Sequence, residues 1–174
     1  LVLITHVLLD ALTIYGTQLL QPFSGYPVGL GSIFIIDPLY TLPLIAGLVM
    51  TGLCRASPRA GYWNLAGLLL STAYLGWTVV AQAHVEDLGR RALAAQAVEY
   101  ERMLATPTPF NSVLWRVLAV SDDAYYEGYH RLGGDRPLRF HRQASRPQLL
   151  DGLRQSWAVQ RLRYFTKGFY AVSA

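Results

Sequence analysis

Apolar residues run almost without interruption from Leu1 to Ala83, whereas from His84 onward they recur singly among charges, first at helical spacing and then in alternation. The first pattern suits a lipid solvent and the second suits water. Leu1 to Leu20 reads as a membrane helix or, better, as the end of one. It is broken by Gln21-Pro22-Phe23-Ser24-Gly25-Tyr26-Pro27, where two prolines and a glycine make an uncharged aromatic loop at headgroup level. Ile33 to Leu53 is a second apolar run, punctuated by Asp37-Pro38, and Gly61 to Ala83 is a full span of the roughly 20 residues a helix needs to cross a bilayer. Val85 to Leu104 has helical period, with Leu88, Ala92, Ala95 and Val98 set among Arg and Glu, and is expected to end before Thr106-Pro107-Thr108-Pro109 as an amphipathic stalk. Strands are predicted over Val113 to Val120, Tyr125 to Leu132 and Leu138 to His141, the first two making a hairpin across Ser121-Asp122-Asp123-Ala124. Arg146-Pro147 then opens a helix to about Leu162. The predicted fold class is mainly α: transmembrane helices over 1–83, an amphipathic linker helix over 84–106, and a small soluble α+β domain over 107–174. That domain reads as truncated, because Phe169-Tyr170-Ala171-Val172 looks like the start of a strand with no partner after it.

Charge divides the chain at the same place. The 174 residues carry a net charge of +4, yet before His84 the only formal charges are Asp10, Asp37, Arg55 and Arg59, which cancel. The Arg55/Arg59 loop is placed in the cytoplasm by the positive-inside rule. Everything after His84 then falls on the outer face of a bacterial inner membrane crossed more than once. The basic excess beyond His84 is nearly all arginine and favours lipid headgroups or phosphate-bearing substrates. Basic residues interleaved with acids, and no recognition motif, argue against nucleic acid. Cys54 is the only cysteine, which excludes an intrachain disulfide and a cysteine zinc cluster. No phosphate loop, nucleophile elbow or Cys-His pair is present. Leu1 to Leu9 lacks the features of a signal peptide, and both ends read as cut.

Against this background Asp10 and Asp37 stand out, because a carboxylate at mid-bilayer costs roughly 2.5 to 3.5 kcal/mol on insertion scales. His6 and Asp10 are separated by one helical turn, so imidazole and carboxylate converge on one face. Such a pair suits a divalent ion, zinc ahead of manganese, with an activated water as nucleophile; the same pair could also simply satisfy itself inside a helix bundle. Asp37 is a candidate ligand or catalytic base, and equally a candidate N-cap for a helix from Pro38 to Leu53, with proline at the first helical position. Thr13, Thr17 and Tyr40 lie where their hydroxyls would support a ligand carboxylate or a substrate oxygen, although Thr13 suits a bond back to its own helix better. His84, His130 and His141 read as surface residues. Trp115, Tyr125, Tyr126, Tyr129, Phe140 and Trp157 read as the core of the small domain.

Three blocks occur in order: Thr5-His6-Val7-Leu8-Leu9-Asp10-Ala11-Leu12-Thr13-Ile14-Tyr15-Gly16-Thr17-Gln18, then Pro22-Phe23-Ser24, then Ile33-Phe34-Ile35-Ile36-Asp37-Pro38-Leu39-Tyr40-Thr41-Leu42-Pro43. Together they resemble the YdjM-like family of predicted membrane-bound metal-dependent hydrolases, and the stretch from Thr106 to Arg116 is similar to that family's soluble tail. The resemblance puts the family's His-x-x-x-Asp motif on His6 and Asp10 and its Asp-Pro block on Asp37 and Pro38. The family pattern also has an upstream Asp and a His-Arg-Gly-x-x-His-Ser block, which this chain lacks, so the resemblance implies that further metal ligands lie upstream. A fainter similarity to helical zinc-dependent phospholipases C hints at phosphoester chemistry.

The leading expectation is therefore a membrane-bound hydrolase using a divalent metal held by His6, Asp10 and Asp37. Its substrate would be an ester or phosphoester at the bilayer surface, and its partners the membrane lipids. The rival expectations are an ion- or proton-coupled transporter with Asp10 and Asp37 as a relay, and a non-catalytic envelope protein anchored by its helices.

Overall fold

The computed structural model describes residues 2–173. Its elements in chain order are α1 (Val2–Leu12), α2 (Pro38–Leu53), α3 (Ala60–Ala95), β1 (Arg102–Pro107), β2 (Leu114–Val120), β3 (Ala124–Arg131), β4 (Phe140–Ala144), a single 3-10 turn (Pro147–Leu150) and α4 (Trp157–Phe165). They form two units, Leu1–Ala83 with Pro107–Val113, and His84–Thr106 with Leu114–Ala174. The class is mixed α+β, with one helix among the described residues, α3, long and apolar enough to cross a membrane. α1 and α2 are apolar but shorter.

In the first unit α1 stops at Leu12, well before the expected break at Gln21. The Thr13 hydroxyl donates to the Asp10 carbonyl at 2.7 Å, and the chain returns to cap the helix end. Leu30 N–H donates to Ala11 O, Ser32 and Ile33 N–H to Leu12 O, and Gly31 N–H to Thr13 O. These bonds satisfy carbonyls that a helix C-terminus leaves orphaned. A backbone bridge between Thr17 and Val28 closes the loop. It lets Gly16 and Gly29 approach so closely that a Cβ on Gly29 would lie 2.8 Å from the Gly16 Cα. Such a loop was not legible as helix or strand periodicity.

The 36 residues of α3 make a rod of about 54 Å at 1.5 Å per residue, against about 30 Å of hydrocarbon. The expected span and the expected amphipathic stalk are thus one continuous helix, with no break at His84. It also ends earlier than Leu104, at Ala95, and Arg102–Pro107 is a strand. The stop is a Schellman turn: Val98 N–H reaches Leu93 O at 3.0 Å and Ala97 N–H reaches Ala94 O at 3.1 Å. Ala97 takes the positive φ of 52° usually given to glycine, so the customary terminator is missing from the sequence.

Inside the first unit the buried residues of α3 are small or polar. Gly67, Ser71, Thr78, Ala81 and Gln82 face inward while Leu65, Leu68, Leu69, Leu70, Val79 and Val80 are exposed. A water-soluble helix has the opposite arrangement. In lipid, small residues let helices approach and buried polar groups tie them together. Gly67 packs on α2, where an added Cβ would sit 2.5 Å from the Pro43 carbonyl oxygen, and Gly47 meets α3 reciprocally.

In the second unit the four strands lie in the order β1-β2-β3-β4, with β2/β3 and β3/β4 antiparallel and Trp115 opposite His130. Trp115, Val117 and Ala119 alternate into the core with Val85, Leu93, Ala105 and Leu138. Gly89 lets the end of α3 lie on the sheet, since a Cβ there would meet Val117 at 3.0 Å. Of the aromatic residues expected as core, Trp115 alone is fully buried; Tyr129 and Trp157 are exposed. The expected helix from Arg146 divides into the 3-10 turn, a stretch of turns, and α4 capped by Ser156, whose Oγ accepts from Val159 N–H. The expected strand after Phe169 is irregular chain, tied through Arg146 N–H to Val172 O at 2.8 Å.

On the solvated side of β3, Glu127 accepts from Arg116 Nε and, at 2.7 Å, from the Tyr129 hydroxyl. Desolvation pushes its carboxyl up, but these two donors outweigh it and hold the pKa below the ordinary carboxylate value. A depressed folded-state pKa makes stability full above the unfolded value and loses it as pH falls through the folded value. Protection of β3 amides, taken relative to the intrinsic exchange rate at each pH, is therefore expected to fall below the ordinary carboxylate range in the wild type. Glu127→Gln should be less protected at neutral pH and should lack that step; an unchanged step in the variant would assign it elsewhere.

Candidate functional site

α1 carries the first pair of acid and imidazole. His6 Nε2 lies 3.5 Å from Asp10 Oδ2, and both side chains are accessible, 71% and 42% exposed. One helical turn accounts for the meeting, and neither group is boxed in by neighbours. The donor set, one imidazole nitrogen and one carboxylate oxygen, is of the type that binds zinc. Among the described residues no third His, Cys, Asp or Glu joins them to complete a metal-binding group.

Asp37, expected as a third ligand or as base, is elsewhere and is engaged. It is 2% exposed and caps α2, its Oδ1 accepting from Leu39 N–H at 2.9 Å. Its Oδ2 accepts from the Tyr74 hydroxyl at 2.8 Å and the Ser112 hydroxyl at 2.7 Å. A carboxylate with both oxygens bonded and almost no exposure suits anchoring better than proton transfer. The cap role was legible in Asp37-Pro38. Tyr74 and Ser112 were not: a tyrosine within an apolar span was the one available hint, and Ser112 follows Asp37 by 75 residues.

Of the three residues expected to support the metal, Thr13 is held through its hydroxyl and Thr17 and Tyr40 through their backbone. Thr13 bonds back to the Asp10 carbonyl, Thr17 pairs through its backbone with Val28, and the Tyr40 carbonyl accepts from Ser71 Oγ at 2.8 Å. Ser71, Tyr74, Thr78 and Gln82 form a polar row along α3, and Gln82 Nε2 donates to Leu30 O at 2.6 Å. This row fastens α3 to the loop around Leu30 and to the start of α2, and it holds Asp37 in place. Phe34 and Phe110 meet edge to face at 5.4 Å in the same unit.

A small-and-polar interior under a large apolar exterior, on a helix long enough to span, is the arrangement of a chain solvated by lipid. The family model described as YdjM inner membrane protein matches residues 1–85, the segment that holds His6, Asp10 and Asp37. No curated protein and no solved structure matches the chain.

Proposed function

We propose that the chain acts as a multi-pass inner-membrane hydrolase that uses a divalent metal, zinc ahead of manganese, on an ester or phosphoester at the bilayer surface. The observation that supports this reading is the convergence of His6 Nε2 and Asp10 Oδ2 on one accessible face of α1. In this proposal His6 presents its neutral imidazole nitrogen and Asp10 its carboxylate oxygen as two ligands. The remaining positions would be filled by water. When bound, the ion would supply Lewis acidity and acidify a water at the lipid surface. Asp37, with its oxygens engaged and buried, is assigned to holding α2, Tyr74 and Ser112 in register rather than to ligation or proton transfer. The outer-face position of the residues after His84 belongs to this proposal as well.

Elemental mass spectrometry of the full-length protein purified in detergent tests it, beside His6→Ala and Asp10→Ala. The expected result is stoichiometric zinc or manganese in the wild type and loss in both variants, with hydrolysis lost in parallel. A wild-type protein without metal, or a metal-replete and active His6→Ala, overturns the reading.

A further inference from the structure

α4 turns one flank toward the sheet and leaves the other uncovered. Val159 and Arg163 line a cavity of about 310 Å³ shared with Arg102, Ser121 and Tyr170. On the remaining surface Trp157, Arg161 and Phe165 follow one another at i, i+4 and i+8, a single row along a helix. Trp157 is 77% exposed, more than any other tryptophan of the chain, and Phe165 is exposed beside it. Arg161 lies over the Phe165 ring at 4.5 Å and the Tyr164 ring at 5.6 Å, so a charge is held against aromatic rings. Leu149, Leu153 and Leu162 add exposed apolar surface before and within the helix.

The charge of the same segment is one-sided. From Arg146 to Lys167 there are five basic residues and one acid, Asp151, which gives +4, equal to the net charge of the whole chain. The acid is itself paired with Arg154 at 2.8 Å. Exposed tryptophan, tyrosine and phenylalanine among arginines is the composition that rests at headgroup depth. The inference rests on the inner-membrane reading proposed above, in which residues 1–85 hold the chain at a bilayer and that surface is at hand. We infer that α4 and the turns before it dock on an anionic phospholipid surface, with Trp157 and Phe165 entering the headgroup layer and Arg161 meeting the phosphates.

The test uses the whole chain in lipid nanodiscs, one copy per disc. An environment-sensitive fluorophore is attached through Phe165→Cys in a Cys54→Ser background, and separately through Ala158→Cys in case the first position disturbs packing. Discs contain phosphatidylcholine alone or mixed with phosphatidylglycerol, with nitroxide-labelled acyl chains as quenchers. The expected result is a blue-shifted, quenched probe at low salt in phosphatidylglycerol discs and release at high salt. Arg161→Gln should lower the docked-to-undocked ratio about fivefold. A probe that stays unquenched in anionic discs, at both positions, overturns the inference. So does quenching indifferent to phosphatidylglycerol, salt and Arg161, or quenching that appears only when a second protein occupies the disc.

Discussion

Asp37→Ala is expected to destabilise the first unit by about 3 kcal/mol, combining a lost helix cap of about 1 kcal/mol with the loss of a charged acceptor for two hydroxyls. The carboxylate accepts from Leu39 N–H, Tyr74 and Ser112 at 2.9, 2.8 and 2.7 Å. Asparagine is a good cap and retains one side-chain carbonyl oxygen, so Asp37→Asn should lose roughly half as much. The measurement is unfolding of the protein in detergent by a denaturing-surfactant titration, followed by far-UV circular dichroism. Tyr74→Phe and Ser112→Ala, alone and together with Asp37→Asn, form the cycles that apportion the loss. A base or metal ligand would behave differently: Asp37→Asn would abolish activity or metal content while leaving the unfolding midpoint in place, and that outcome would return Asp37 to the chemistry.

Gly67→Ala is the second large effect, and its sign separates two physical accounts. Helix propensity alone favours alanine by about 1 kcal/mol within a helix. Packing opposes it, because the new Cβ would lie 2.5 Å from the Pro43 carbonyl oxygen, and a backbone atom cannot step aside. Overpacking of this kind costs about 1 to 3 kcal/mol, and with no flexible side chain to absorb it the upper end applies. The expected outcome is a net loss of about 2 kcal/mol in the same titration. Gly52→Ala, where a Cβ meets nothing, serves as the control and should be neutral or stabilising. A stabilised Gly67→Ala protein would mean that α2 and α3 do not pack as described.

Local chemistry was readable wherever one residue or one helical turn carried it. Asp37-Pro38 announced the start of α2, the spacing of His6 and Asp10 announced their meeting, and alternation with a polar turn announced the β2/β3 hairpin. These depend on contacts between near neighbours, which periodicity encodes. The errors lie where termination or burial depends on distant chain. α3 passes His84 because nothing in Ala83-His84-Val85 breaks a helix, and its polarity merely changes there. It stops at Ala95 by a Schellman turn in which alanine, not glycine, takes the positive φ. α1 stops at Leu12 because residues 30–33 supply its cap from across a loop.

The division between sequence and tertiary structure follows the range of the forces. Hydropathy and charge, summed along the chain, separated an apolar first half from a charged second half, because transfer free energy accumulates residue by residue whatever the fold. Only the tertiary structure decided the surroundings of each acid. His6 and Asp10 stay accessible on one helix face, whereas Asp37 is closed in by a tyrosine from α3 and a serine 75 positions further along. It likewise left Trp157 outside and Trp115 inside. Burial and hydrogen bonding depend on which distant segments arrive at a residue, and pattern along the chain does not contain that arrival.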